Sequence, residues 1–120
     1  MPKSATIFSQ LIRLLPQKQF QRFVARYDGN KNVRTFSCWD QFLCMAFAQL
    51  TYRESLRDIE SCLRAVDFKL YHLGIRGKVS RNTLAYANEN RDWRVYRDFG
   101  QTVIRQAQRT LSENDFSVEI

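Results

Sequence analysis

Trp39, Phe42, Leu43, Ala46, Phe47 and Leu50 fall at i, i+3, i+4, i+7, i+8 and i+11. That spacing lines one side of a helix with 3.6 residues per turn. A strand cannot use it, because strand side chains alternate between faces and the pattern would split across both. Cys44, Met45 and Ala48 widen the stripe, so the spacing predicts a central helix buried on most sides. Ser37 with Asp40 three residues on resembles a capping box, Asp standing for the usual Glu or Gln. An aromatic stripe of this kind is a core face, and no binding role is assigned to it.

The rest of the chain reads the same way. Ser4 is an N-cap for Ile7, Phe8, Leu11, Ile12 and Leu15, and Pro16 divides that helix from one presenting Phe20, Phe23, Val24 and Tyr27. Asp28-Gly29-Asn30 has turn chemistry. A strand over residues 32–36 (NVRTF) is the weaker alternative there. A fourth helix starts at Ser55 with Leu56, Ile59, Cys62 and Leu63 inward, and a helical turn over residues 69–73 stops at Gly74. A fifth starts at Ser80 or Asn82, with Leu84, Ala85 and Ala87 for packing. Asp92 caps a sixth, whose apolar positions read Trp93, Tyr96, Val103, Ile104, Ala107 and Leu111. Only four glycines and two prolines interrupt 120 residues, which favours helices over many tight turns. The expected fold is all-α: a compact bundle of about six short helices containing a helix-turn-helix-like unit. One helical domain is expected over residues 1–112, with 113–120 an acidic tail or the start of a further, catalytic domain.

Several function classes are disfavoured. The carboxylates are scattered at cap positions and on outer faces, where helix dipoles and orphan amides explain them; no cluster suggests a metal-dependent active centre. Cys38, Cys44 and Cys62 have no CxxC spacing and a single histidine, His72, accompanies them, so neither a zinc site nor a Cys–His nucleophile is expected. Residues 74–78 (GIRGK) lack the spacing of a phosphate-binding P-loop. No cofactor is expected. The first residues lack the sustained apolar core of a signal peptide, and residues 42–50 are too short to span a bilayer. A cytoplasmic, nucleoid-associated protein with no membrane partner is the expectation.

Charge points to a partner. The formal net charge is +7, and residues 69–97 hold seven bases against two acids, a local +5. Residues 98–120 hold two bases and four acids. A patch of this kind attracts polyanions by phosphate contact and counterion release; its bland alternative is a solvated basic face. Within the patch, the helix from Ser55 can support the one from Ser80, which then enters a DNA groove. Arg81, Asn82 and Thr83 lie in the first turn of that reader, and Asn88 and Arg91 lie six and nine residues beyond Asn82, within a turn or two of one face. Arginine suits guanine and phosphate, and asparagine suits adenine. Arg76 and Lys78 in the connector would neutralise phosphates, with Arg94 and, less directly, Arg97 beyond. The competing reading is that Asn82 and Thr83 only cap the helix.

The strings FSCWDQFLCMAFAQLTYRESLRDIE (residues 36–60), KLYHLGIRGKVSRNTLA (69–85) and ANENRDWRVYRDF (87–99) closely resemble the N-terminal domain of insertion-sequence transposases of the four-type DDE family. The opening FSQLIRLLPQKQFQRFVARYDGNKNVRTF (residues 8–36) fits the same domain. The resemblance implies a small helical domain that holds transposon-end duplex DNA ahead of an RNase H-like catalytic domain. That second domain carries two aspartates and a glutamate and uses divalent metal. Its first aspartate comes in an LDSTT-like strand motif, which has no match here, so no catalytic residue is carried over and the chain is not read as an enzyme. Relatives read ADANE where this chain has Tyr86 in place of the aspartate; the exchange is expected to weaken docking or binding. The rival reading is a protein–protein interaction module that docks on the transposase catalytic domain or self-associates. A repressor that occupies transposon ends would use the same contacts as the main reading.

Overall fold

The computed structural model describes residues 10–31, 33, 35–65, 75 and 79–113. Among these, the helices are α1 (Gln17–Arg26), α2 (Cys38–Leu50), α3 (Leu56–Ala65), α4 (Arg81–Asn90) and α5 (Trp93–Glu113). Residues 10–13 are helical as well, and no described residue is in a strand. The fold is a small all-α bundle.

Local chemistry sets the helix starts. The Ser37 hydroxyl accepts from the Asp40 amide at 3.1 Å, and the Asp40 carboxylate accepts from the Ser37 amide at 3.1 Å. The capping box therefore closes despite its aspartate. Ser55 accepts from the Asp58 amide at 3.1 Å ahead of α3, Ser80 from the Thr83 amide at 3.2 Å ahead of α4, and Asp92 from the Arg94 amide at 3.0 Å ahead of α5. α1 and α2 both end on a residue in the left-handed region, Asp28 (φ 51°) and Tyr52 (φ 58°). In each case the next amide reaches back five residues, Gly29 to the Val24 carbonyl at 2.8 Å and Arg53 to the Ala48 carbonyl at 2.9 Å. Both are Schellman-type closures.

Phe20 of α1 is the hub of the core. Its ring lies 5.0 Å from Trp39 and 5.0 Å from Phe99, both edge-on, the geometry aromatic quadrupoles favour. Phe42 stacks on Trp39 at 5.4 Å. Phe20 meets Phe99, and Val24 and Val95 both approach Gly29, so α1 runs antiparallel along the first half of α5. Gly29 is a close approach: a Cβ there would stand 2.9 Å from the Cys38 sulfur and 3.4 Å from Val95. Ile59, Leu63, Ile75, Val79 and Leu84 extend the core beneath α3 and α4.

One expectation changes. In α5 the fully buried residues are Val95 and Phe99, whereas Trp93, Ile104 and Leu111 are 64%, 57% and 62% exposed. The helix is 21 residues long, about 30 Å, and outruns the 10-residue α1 beside it. Every residue from 104 to 113 is consequently exposed. The supporting helix and the reader, α3 and α4, do pack together, as the expected helix-turn-helix-like unit requires. The expected turn over 69–73, its stop at Gly74, and His72 lie outside the described residues. So do residues 114–120 of the expected acidic tail. No helix among the described residues is long and apolar enough to cross a membrane.

Candidate nucleic-acid interface

α4 reads RNTLAYANEN, and its two buried residues are Leu84 and Ala87. The side away from them carries Asn82, Tyr86 and Asn90 at i, i+4 and i+8, all exposed. Tyr86 stands out at 68% exposure and separates two grooves. The smaller, about 390 Å³, is lined by Thr35, Phe36, Asn82, Thr83 and Arg91. The larger, about 900 Å³, is lined by Tyr27, Lys31, Asn90, Trp93 and Arg94.

The start of α4 is already occupied by the chain's own groups. Ser80 takes the Thr83 amide, and the Glu60 carboxylate of α3 accepts from the Arg81 amide at 2.8 Å. A carboxylate at a helix N-terminus takes the place an external anion would use. Any contact to a polyanion there must come from side chains, of which Arg81 and Asn82 are exposed. The Thr83 hydroxyl lies 2.9 Å from that of Ser80 and belongs to the cap.

The arginines that follow α4 are held. Arg91, half-buried, donates to the Phe36 carbonyl and to the Cys38 sulfur at 3.7 Å, and its guanidinium lies 5.8 Å from the Phe36 ring. It ties the segment before α2 to the end of α4. Arg94 donates to both Asp92 oxygens at 3.1 and 2.7 Å and lies 4.5 Å over the Tyr27 ring. Arg97 pairs with Asp98 at 2.9 Å and covers Trp93 at 4.9 Å. The Arg94 hydrogen bonds hold the Asp92 carboxyl down at about 2. The Tyr27 hydroxyl, then Arg97, holds Asp98 below the ordinary carboxylate range. Because both carboxyls are depressed in the fold, their pairing is present above the ordinary carboxylate range and is lost only as pH falls through the depressed values. At neutral pH the carboxylates beside Arg94 and Arg97 are therefore ionised.

Asn88 is structural. Gln41, 5% exposed on α2, donates to the Asn88 carbonyl oxygen at 2.7 Å and accepts from the Tyr96 hydroxyl. This part-buried polar bridge ties α2, α4 and α5 together, and burial pushes the Tyr96 hydroxyl well above its ordinary value. The thiol of Cys44 is pushed up to about 12 by burial and by Asp40, which disfavours a thiolate nucleophile. Among the described residues no group of three His, Cys, Asp or Glu could hold a metal ion.

The structure thus brings Asn82, Thr83 and Arg91 to one groove and Arg94 to its neighbour, with Arg81 at the head of the same helix. Arg76 and Lys78 lie outside the described residues. Residues not expected from sequence are Tyr86, Asn90 and Lys31. The first two were readable as the helical repeat of Asn82 opposite Leu84 and Ala87; Lys31 arrives through the fold.

A sequence family described as Domain of unknown function (DUF4372) matches residues 3–76. The chain belongs to the DUF4372 family. In this DUF4372 chain the matched segment includes α1, α2 and α3, and α4 and α5 follow it. No curated protein and no solved structure matches it.

Proposed function

We propose that this chain is a DNA-binding domain of the insertion-sequence transposase type, which holds transposon-end duplex DNA against the outer face of α4. The observation that carries the reading is the exposed stripe Asn82–Tyr86–Asn90, flanked by grooves and headed by Arg81, on the most basic segment of its half of the chain. Arginine and asparagine side chains projecting from a first helical turn suit phosphate oxygens and base edges. The likeness of residues 36–60, 69–85 and 87–99 to the transposase N-terminal domain supports the same partner. On this reading strand cleavage, with its divalent metal, belongs to a separate catalytic domain, and this chain contributes grip.

The test is a fluorescence-anisotropy titration of duplex DNA with the wild-type chain and with Arg81→Glu/Asn82→Asp. The variant is expected to lose at least tenfold in affinity, as reversal at one phosphate or base contact predicts (roughly 1–3 kcal/mol per contact). Equal affinity of the two proteins would sink the α4 assignment.

One observation favours docking instead. Phe42, Met45, Ala46, Trp93 and Tyr96 line a mainly apolar groove of about 430 Å³ between α2 and α5, of the size and character that a partner side chain fills. A chain that sediments as a dimer and ignores DNA would give the interaction module precedence.

A further inference from the structure

The first acid in the chain is Asp28, and the residues before it carry five bases, Lys3, Arg13, Lys18, Arg22 and Arg26. α1 sets three of these in line. Phe20 and Val24 are its buried residues, and Lys18, Arg22 and Arg26, at i, i+4 and i+8, lie on the opposite side, all exposed. Successive members are about 6 Å apart along the axis. Lys18 and Arg22 make no ion pair or hydrogen bond among the described residues. Arg26 comes within 3.7 Å of Asp98 yet stays 60% exposed.

We propose that this outer face of α1 is a second contact surface for duplex DNA, one that grips the phosphate backbone without reading bases. The inference rests on the DNA-binding reading above and extends it to a face that reading does not use. Charge alone would also suit an anionic membrane, but an interfacial helix needs bulky apolar side chains on its free side. The free side of α1 offers Gln17, Gln19, Gln21 and Ala25 beside its bases, and glutamine amides donate well to phosphate oxygens. Position agrees: α1 leads into Tyr27 and Lys31, which line the larger groove beside Tyr86. A backbone held at Lys18 and Arg22 therefore continues towards α4.

Counterion release supplies the readout, because each phosphate contact contributes about 0.9 to the slope of log affinity against log salt. The full chain and its Lys18→Gln/Arg22→Gln variant are titrated with duplexes of several sequences, and with phosphatidylserine vesicles, from low to physiological salt. The variant is expected to melt like wild type and to show a slope shallower by about 2 on every duplex. A wild-type chain that binds duplex with a slope the variant leaves unchanged overturns the role of α1 and spares α4. A wild-type chain that does not bind duplex overturns both. Vesicle binding abolished in the variant, with the duplex slope unchanged, overturns the proposal in favour of a membrane surface.

Discussion

Two sets of basic residues look alike on paper and differ in the fold. Arg91, Arg94 and Arg97 follow α4 in the most basic stretch of the sequence, and each guanidinium is held, by the Phe36 carbonyl, by Asp92 and Tyr27, and by Asp98 and Trp93. Lys18 and Arg22 on α1 sit in a stretch free of acids and point to solvent with no such partners among the described residues. The first set organises the protein; the second is available to something else. Net charge along a sequence measures the sum of both, and only the fold separates them.

The largest effect that can test this contrast is expected at Arg91. Arg91→Ala removes a charge-assisted hydrogen bond and leaves the Phe36 carbonyl without its donor, a loss of about 2–3 kcal/mol. Chemical denaturation should report it, while the salt slope of DNA binding per folded molecule stays as in wild type. A stable Arg91→Ala chain with a reduced slope would place Arg91 with the free set and erase the contrast.

Gly29 comes next. Its bare backbone lets the turn after α1 press against Cys38 and Val95, and that turn delivers Tyr27 beneath Arg94. Gly29→Ala forces a Cβ to within 2.9 Å of the Cys38 sulfur, with an expected cost of about 1–2 kcal/mol from overpacking. A thermal melt unchanged from wild type would show that the turn has slack. The smallest effect belongs to α1: Arg22→Ala should leave the melting temperature where it was, since an exposed side chain without partners holds nothing in place.

Sequence made much of the fold legible because its signals are local. The Ser37–Asp40 box, the Ser55 and Ser80 caps and the Asp92 cap each need only a few neighbouring residues. The α5 register was not legible. Trp93–Tyr96 and Val95–Phe99 are overlapping apolar pairs, and packing against Phe20 and Val24 of α1, far away in sequence, decides between them. The state of Arg91 was hidden for the same reason, its acceptor lying 55 residues away. Tyr86 read as a departure from a family pattern, yet its position opposite Leu84 and Ala87 makes it the ridge of the candidate interface. The stripe on α1 was readable from spacing and the missing acids alone.

A single spectrum compares the two sets side by side. In side-chain Nε–Hε correlation spectra of the chain titrated with duplex DNA, Arg22 and Arg81 are expected to shift progressively, with Arg91 unmoved and the backbone amides of Asn82 and Tyr86 following Arg81. Shifts concentrated at Arg91, or confined to Phe42, Met45 and Trp93 around the apolar groove, would contradict the account.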